Sequence, residues 1–227
     1  SSAVQRVSDD VLSCFRFTKR RPVFIAASTL RGEEELVLRV FARIREVASD
    51  ALIIIAPRHP ERFEEVYAMA EASGYRVQAR SKLRGQDSDA PIVLLDTIGE
   101  LASLFQIASV VFVGGSLVPS GGHNFLEPAV FGKAIVVGPH MDNFAEITSD
   151  FVAKQAVVQV RSDSELEAEV VDLIRDDGRR ERLGDAAREL VDSCRGATKR
   201  TMTIAAGLLA SEVRNVSDET VQSTINP

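Results

Sequence analysis

The chain has 227 residues, 45% apolar and 26% charged, with a net charge of −6 and a pI near 5.2. This is an ordinary soluble globular composition, with enough apolar material for a core that needs neither disulfides nor metal. Its acidity argues against a binder of nucleic acid driven by phosphate contacts, and no apolar run approaches the roughly 18 residues needed to cross a bilayer. Cys14 and Cys194 are too few for a disulfide framework; they suit a reducing compartment and read as packing residues. The charge is uneven: residues 1–90 carry 15 basic and 13 acidic side chains (+2), and residues 91–227 carry 12 and 20 (−8).

In chain order, residues 1–21 read as a polar leading segment ending in Lys19-Arg20-Arg21, with no signal-peptide pattern. VFIAAS (23–28) is a short apolar run that predicts a buried parallel strand. Residues 33–48 predict a helix, with Leu36, Val40, Phe41, Ile44 and Val47 at helical spacing and three glutamates at its N-terminal end. ALIIIAP (51–57) is a second buried strand, residues 61–74 a helix closed by Gly74, and residues 75–81 a more exposed strand. The unit then repeats. IVLLD (92–96), SVVFVGG (109–115), KAIVVGP (133–139) and AVVQV (156–160) read as strands, with helices over 97–108, 125–132 and 143–153 between them. An amphipathic helix follows over 164–176, then further helix over 178–210 and a polar tail over 211–227.

Strands separated by helices imply right-handed crossovers. The expectation is an α/β fold: one domain over 22–210, a doubly wound parallel sheet of about six strands with extra C-terminal helices. Ligands of such sheets bind beyond the carboxyl ends of the strands, where loops meet helix N-termini. Here those ends carry small, polar and basic groups: Ser28 and Thr29, Arg58 and His59, Asp96 and Thr97, Gly114-Gly115-Ser116, and His140. Such a rim suits a phosphorylated ligand.

The segment VGGSLVPSGGHNFLEPAVFGK (113–133) carries two glycine pairs, whose backbone can approach an anion closely. It matches neither of the two standard phosphate-loop fingerprints. Asn124 and Glu127, three apart, read either as a helix-capping pair or as ligand groups, Glu127 gripping ribose hydroxyls. Arg58 reads either as a forked phosphate donor or as a surface partner of Glu61 or Glu65. Glu33, Glu34 and Glu35 read as helix-dipole partners or as a source of a general base. His59, His123 and His140 show no metal-ligand spacing, so no metal is expected, and Ser116 and Ser120 lack the nucleophile elbow of serine hydrolases.

ASTLRGEEE (27–35), PRHPERF (57–63), DTIGEL (96–101), FVGGSLVPSGGHNFLEPA (112–129) and GPHMDNF (138–144) together resemble, in order and spacing, the C-terminal half of the 3-deoxy-D-manno-octulosonic acid (Kdo) transferases. Two departures are Leu95, where the family more often has Gly, and Leu30, where it often has His or a charged residue. The resemblance implies a Rossmann-like domain, the C-terminal half of a GT-B fold, that holds CMP-Kdo while the full enzyme transfers Kdo to a lipid A precursor. It implies that Arg58 contacts the phosphate, that His59 belongs to the donor-nucleotide site, and that Asp96, Thr97, Ile98, Gly99 and Glu100 form a turn against cytosine through backbone groups. Gly115, Ser116, Gly121, Gly122, His123 and Asn124 would line the phosphate and sugar pocket, with Glu127 on the ribose. Ser28, Thr29 and Glu33 would face the sugar or the cleft.

It further implies no cofactor and a missing N-terminal half that supplies the membrane anchor, the acceptor site and the general base. The full enzyme would sit at the cytoplasmic face of the bacterial inner membrane, whereas this chain alone would be soluble. Two other readings stay open: a GT-B transferase or epimerase using a UDP-sugar, and a non-catalytic nucleotide-binding module.

Overall fold

Unbroken runs of branched aliphatics build the centre of the molecule. β1 (Val23–Thr29), β2 (Leu52–Pro57), β5 (Val110–Val113) and β6 (Ala134–Val137) bury almost every side chain on both faces, as a sheet covered by helices on both sides requires. The computed structural model describes residues 14–15, 21–83 and 89–193. Cys14 is buried, its thiol directed at the Leu83 carbonyl, which agrees with a packing role. Cys194, the Lys19-Arg20 pair and the 211–227 tail lie outside the described residues.

The sheet has seven strands in the order β3-β4-β2-β1-β5-β6-β7, and all six pairings are parallel. Short segments complete its two edges: β3 (Val77–Ala79) with β4 (Ile92–Leu94), and the two-residue β7 (Val158–Gln159). All seven fall on runs that read as strands in the sequence, one more than the rounded count of six. From β1 the chain adds β2, goes on to the edge strand β3, inserts β4 between those two, and then crosses to the other side of β1 with β5. The carboxyl ends of β1 and β5 therefore flank a topological switch point, where doubly wound sheets hold ligands.

The helices α1 (Glu34–Val47) and α6 (Asp163–Arg175) pack together and share one apolar core with the sheet, through Leu36, Val37, Val40, Phe41 and Ile44 on α1 and Leu166, Val170 and Leu173 on α6. α6 starts at Ser162, whose hydroxyl accepts the Glu165 N–H, while Glu165 accepts the Arg161 N–H, close to a capping box. α2 (Phe63–Ala72) follows a 3₁₀ turn at Pro60–Arg62 and closes at Gly74, whose N–H donates to the Glu71 carbonyl.

The helix expected over 97–108 is shorter: α3 spans Leu101–Leu104, continued by a 3₁₀ turn at Phe105–Ile107. Gly99 at φ +87 keeps helical backbone from starting before residue 100. α4 (Leu126–Val130) admits Pro128 in its first turn, and α5 (Ala145–Ala153) follows a 3₁₀ turn at Asp142–Phe144. The chain divides into two units. The first, Ser1–Arg188, contains the whole sheet and ends in helical residues 177–188; of the second, Glu189–Pro227, residues 189–193 are described and are helical.

Candidate functional site

At the carboxyl end of β1 the ladder breaks register between Ala27 and Thr29, and Ser28 sits in the left-handed region at φ 55. A bulge with a strained non-glycine residue re-aims a strand end, and it often marks a site. Ser28 is directed to the cleft described below; Thr29, expected beside it, is instead fully buried. The Thr29 carbonyl accepts the Arg58 N–H at 3.0 Å, which draws the β2 end alongside.

Arg58 and His59 are both exposed. Arg58 does not take the surface partners weighed for it. Glu65 pairs with Arg31 at 2.8 Å and with Arg62 at 3.5 Å, and Glu61 lies 3.8 Å from the His59 ring nitrogen. Among the described residues no carboxylate is within ion-pair distance of Arg58. Arg62, three to four residues on, is the structural arginine of this loop. It meets the fully buried Glu34 through two hydrogen bonds, at 2.5 and 3.2 Å. Burial works against its charge, yet the bonds and charge of Glu34 outweigh it and hold the guanidinium more basic than usual.

The glycine-rich loop begins where β5 ends. The Gly114 N–H donates to the Ala27 carbonyl at 2.8 Å, and a Cβ at Gly114 would lie 2.6 Å from the Ser28 oxygen and 2.7 Å from Glu33, so only glycine allows the two loops to approach. Glu33 is not directed at the cleft. Its carboxylate is fully buried and accepts four backbone N–H groups: Leu30 (2.9 Å) and Gly115 (2.8 Å) on Oε2, Ser116 (3.1 Å) and Leu117 (3.0 Å) on Oε1. Ser116 is likewise inward. Its hydroxyl donates to the Val113 carbonyl at 2.5 Å and accepts the Gly138 N–H at 2.8 Å, tying the loop to the end of β6. The Gly122 N–H donates to the Gly115 carbonyl (2.8 Å), and the Asn143 N–H to the Gly121 carbonyl (3.0 Å), so the second glycine pair folds back on the first.

That fold-back presents His123, Asn124 and Glu127. With Ser28, Arg58 and the apolar Leu101 and Phe105 they line a cleft of about 180 Å³ between the β1 and β5 ends. The Asn124 side-chain oxygen accepts the Leu126 N–H (3.0 Å), the first amide of α4, and its amide donates to Glu127 (3.4 Å), while Glu127 stays exposed at the mouth. Burial first, then the charges of Arg58 and His59, lower the His123 pKa below its usual 6.5, so the ring is neutral at pH 7. Hollows of about 440 Å³ lie along α5 and between its end and residues 179–186, and they share no lining residue with the cleft at the switch point.

The 96–100 turn uses its polar side chains internally. Asp96 accepts the Ser81 N–H (2.8 Å) and hydroxyl (2.5 Å), Thr97 donates to Glu100 (2.7 Å), and Glu100 also meets Arg80 at 2.9 Å. What the turn shows outward is Ile98, 82% exposed, and backbone. Leu101 and Phe105 went unnoticed in the sequence as cleft residues; their i, i+4 spacing is the signal that could have found them. Among the described residues no three His, Cys, Asp or Glu side chains cluster to hold a metal, and none of the helices is long and apolar enough to cross a membrane.

The family model for "Glycosyl transferases group 1" matches residues 16–190. The chain is 37% identical over 185 residues to the 3-deoxy-D-manno-octulosonic acid transferase of Haemophilus influenzae, covering 81% of this chain and 43% of that protein. It is 33% identical to the corresponding transferase of Bordetella pertussis, covering 80% and 44%. The chain thus spans less than half the length of these relatives. The crystal structure of the C-terminal CMP-Kdo binding domain of WaaA from Acinetobacter baumannii superposes with a TM-score of 0.74 at 30% identity, covering 80% of this chain and 95% of that one. Anabaena HepE in complex with UDP, at 14% identity and a TM-score of 0.61, shares the fold.

Proposed function

The chain belongs to the glycosyl transferases group 1 family, and on that premise we propose that it is the donor-binding half of a Kdo transferase. In this reading CMP-Kdo sits in the cleft between the β1 and β5 ends. The observation that carries it is Arg58, a guanidinium with no carboxylate partner among the described residues, held at the switch-point cleft opposite neutral His123. A phosphate bridging a nucleoside and a sugar is the ligand such a lone forked donor serves. Leu101 and Phe105 offer an apolar wall for the planar base, and Glu127 a carboxylate for ribose hydroxyls. Likeness to the CMP-Kdo binding domain supports cytidine rather than uridine.

In the whole enzyme the acceptor hydroxyl, on a lipid A precursor, attacks the anomeric carbon as the bond to the phosphate oxygen breaks, with inversion. The hydroxyl proton passes to a base in the rest of the longer protein, and CMP departs. Arg58 neutralises the charge that gathers on the departing phosphate, where a preorganised donor is most effective. The remainder of the protein would bring acceptor and chain together at the inner face of the bacterial inner membrane.

Calorimetric titration with CMP and UDP tests the reading. CMP should bind more tightly than UDP, and Arg58→Ala should weaken CMP by about 10–150-fold, the loss of one charge-assisted bond of about 1.5–3 kcal/mol. Its melting temperature should stay near the parent's, because Arg58 holds no ion pair among the described residues. Preference for UDP, or an Arg58→Ala chain that binds CMP as the parent does, would overturn it.

A further inference from the structure

Glu33 has no role in the chemistry above, yet its carboxylate is the most fully engaged side chain at the site. We propose that Glu33 is a positioning residue: a built-in anion that holds the glycine-rich loop in its ligand-ready shape before any ligand arrives. The inference rests on the donor-binding reading. Three successive N–H groups, those of Gly115, Ser116 and Leu117, converge on one carboxylate at 2.8–3.1 Å, with Leu30 as the fourth donor. Converging consecutive amides form a nest that ordinarily receives a bound anion. Here the nest is already filled from within the chain.

Two consequences follow. A carboxylate has about four acceptor sites, and all are taken, so Glu33 can neither grip the sugar nor act as a base. The first glycine pair also has no amides left for the ligand at Gly115, Ser116 or Leu117, which leaves the phosphate to Arg58 and to the second half of the loop. Placement of that second half depends on the first. The Gly115 carbonyl anchors the Gly122 N–H at 2.8 Å, and His123 and Asn124, the cleft residues, follow directly. Glu33 is itself fixed by its own N–H on the Leu30 carbonyl (3.0 Å) and by its place at the start of α1, where Glu34 is locked to Arg62. Neighbouring carboxylates thus secure two rim loops: Glu33 the β5 loop, Glu34 the loop that carries Arg58.

Glu33→Gln tests the proposal, since its amide nitrogen would face N–H donors and only one oxygen would remain to accept. Val170→Ala is the comparison, a core truncation in α6, which contributes nothing to the cleft. Both variants should melt earlier than the parent. At a temperature where all three are folded, Glu33→Gln should bind CMP about tenfold more weakly or worse, whereas Val170→Ala should match the parent within about twofold. Equal affinity of Glu33→Gln and parent, or an equal loss in Val170→Ala, would overturn the proposal.

Amide exchange in the ligand-free parent keeps it testable if Glu33→Gln does not fold. The N–H groups of Leu30, Gly115, Ser116 and Leu117 should be protected like those of β5 and unmoved by saturating CMP. Protection that arises only with CMP would overturn the inference. A parent chain that binds no CMP but shows this protection would sink the donor-binding reading and leave the loop clamp standing.

Discussion

His123 shows how a residue's availability, rather than its type, decides what it can do. Its ring is half-buried in the cleft, with the charges of Arg58 and His59 acting on it and the Glu127 carboxylate at the cleft mouth. Burial, and then the charge of Arg58, hold its folded pKa below the unfolded value of about 6.5. The unfolded chain therefore binds the proton more readily. As pH falls through about 6.5 toward the folded value, that difference drains stability from the native state, and above about 7 the full contribution remains. Melting curves at pH 7.5 and 5.0 should show a smaller acid-side loss for His123→Gln than for the parent; equal losses would place the titration elsewhere. Carboxylates show the same contrast: Glu33 and Glu34 are consumed within the fold, while Glu127, exposed beside the Asn124 amide, keeps an oxygen for a ligand.

Between elements, the Glu34–Arg62 pair ties α1 to the 3₁₀ turn behind Arg58, with both partners nearly excluded from water. Removing one partner of such a pair strands a buried charge, at about 3–5 kcal/mol, whereas replacing both by apolar groups of similar size is often far less costly. Arg62→Met alone should therefore destabilise strongly in urea, and Glu34→Met with Arg62→Met should recover much of the loss. A double variant as unstable as the sum of its singles would mean that the two side chains act independently.

The elements themselves were largely legible. Unbroken runs such as Ile53-Ile54-Ile55 can be buried on both faces only in a covered sheet, and the Arg58 and Gly114–Glu127 segments follow from their places at strand ends. The Glu33 clamp was not legible, because three of its four partners lie 82–84 positions along the chain and no local pattern records them. Nor was the shortened α3, whose start depends on Gly99 adopting a positive φ rather than on apolar periodicity.

At the scale of the whole molecule the question is whether this chain can complete a transfer. Proton removal from an acceptor hydroxyl needs a base within hydrogen-bond reach of it. Around the cleft Glu33 is saturated by four amides, Glu34 by Arg62, Asp96 by Ser81, and Glu100 by Thr97 and Arg80. Among the described residues Glu127 is the one carboxylate that lines the cleft, and its proposed partner is the ribose. His123 is neutral, but burial and then the charge of Arg58 make it a poorer base. The lining of this cleft thus suits binding a donor more than activating an acceptor, which agrees with a chain that spans 43% of its Haemophilus influenzae relative. Incubated with CMP-Kdo and lipid A precursor, the 227-residue chain should release CMP no faster than buffer does, followed by phosphorus NMR, while still binding CMP in titration. On the proposed function, a longer chain joining this domain to an acceptor-binding half should release CMP and consume acceptor together. Acceptor-dependent CMP release by the 227-residue chain would place the base inside this domain, and its loss in Glu127→Gln would identify it.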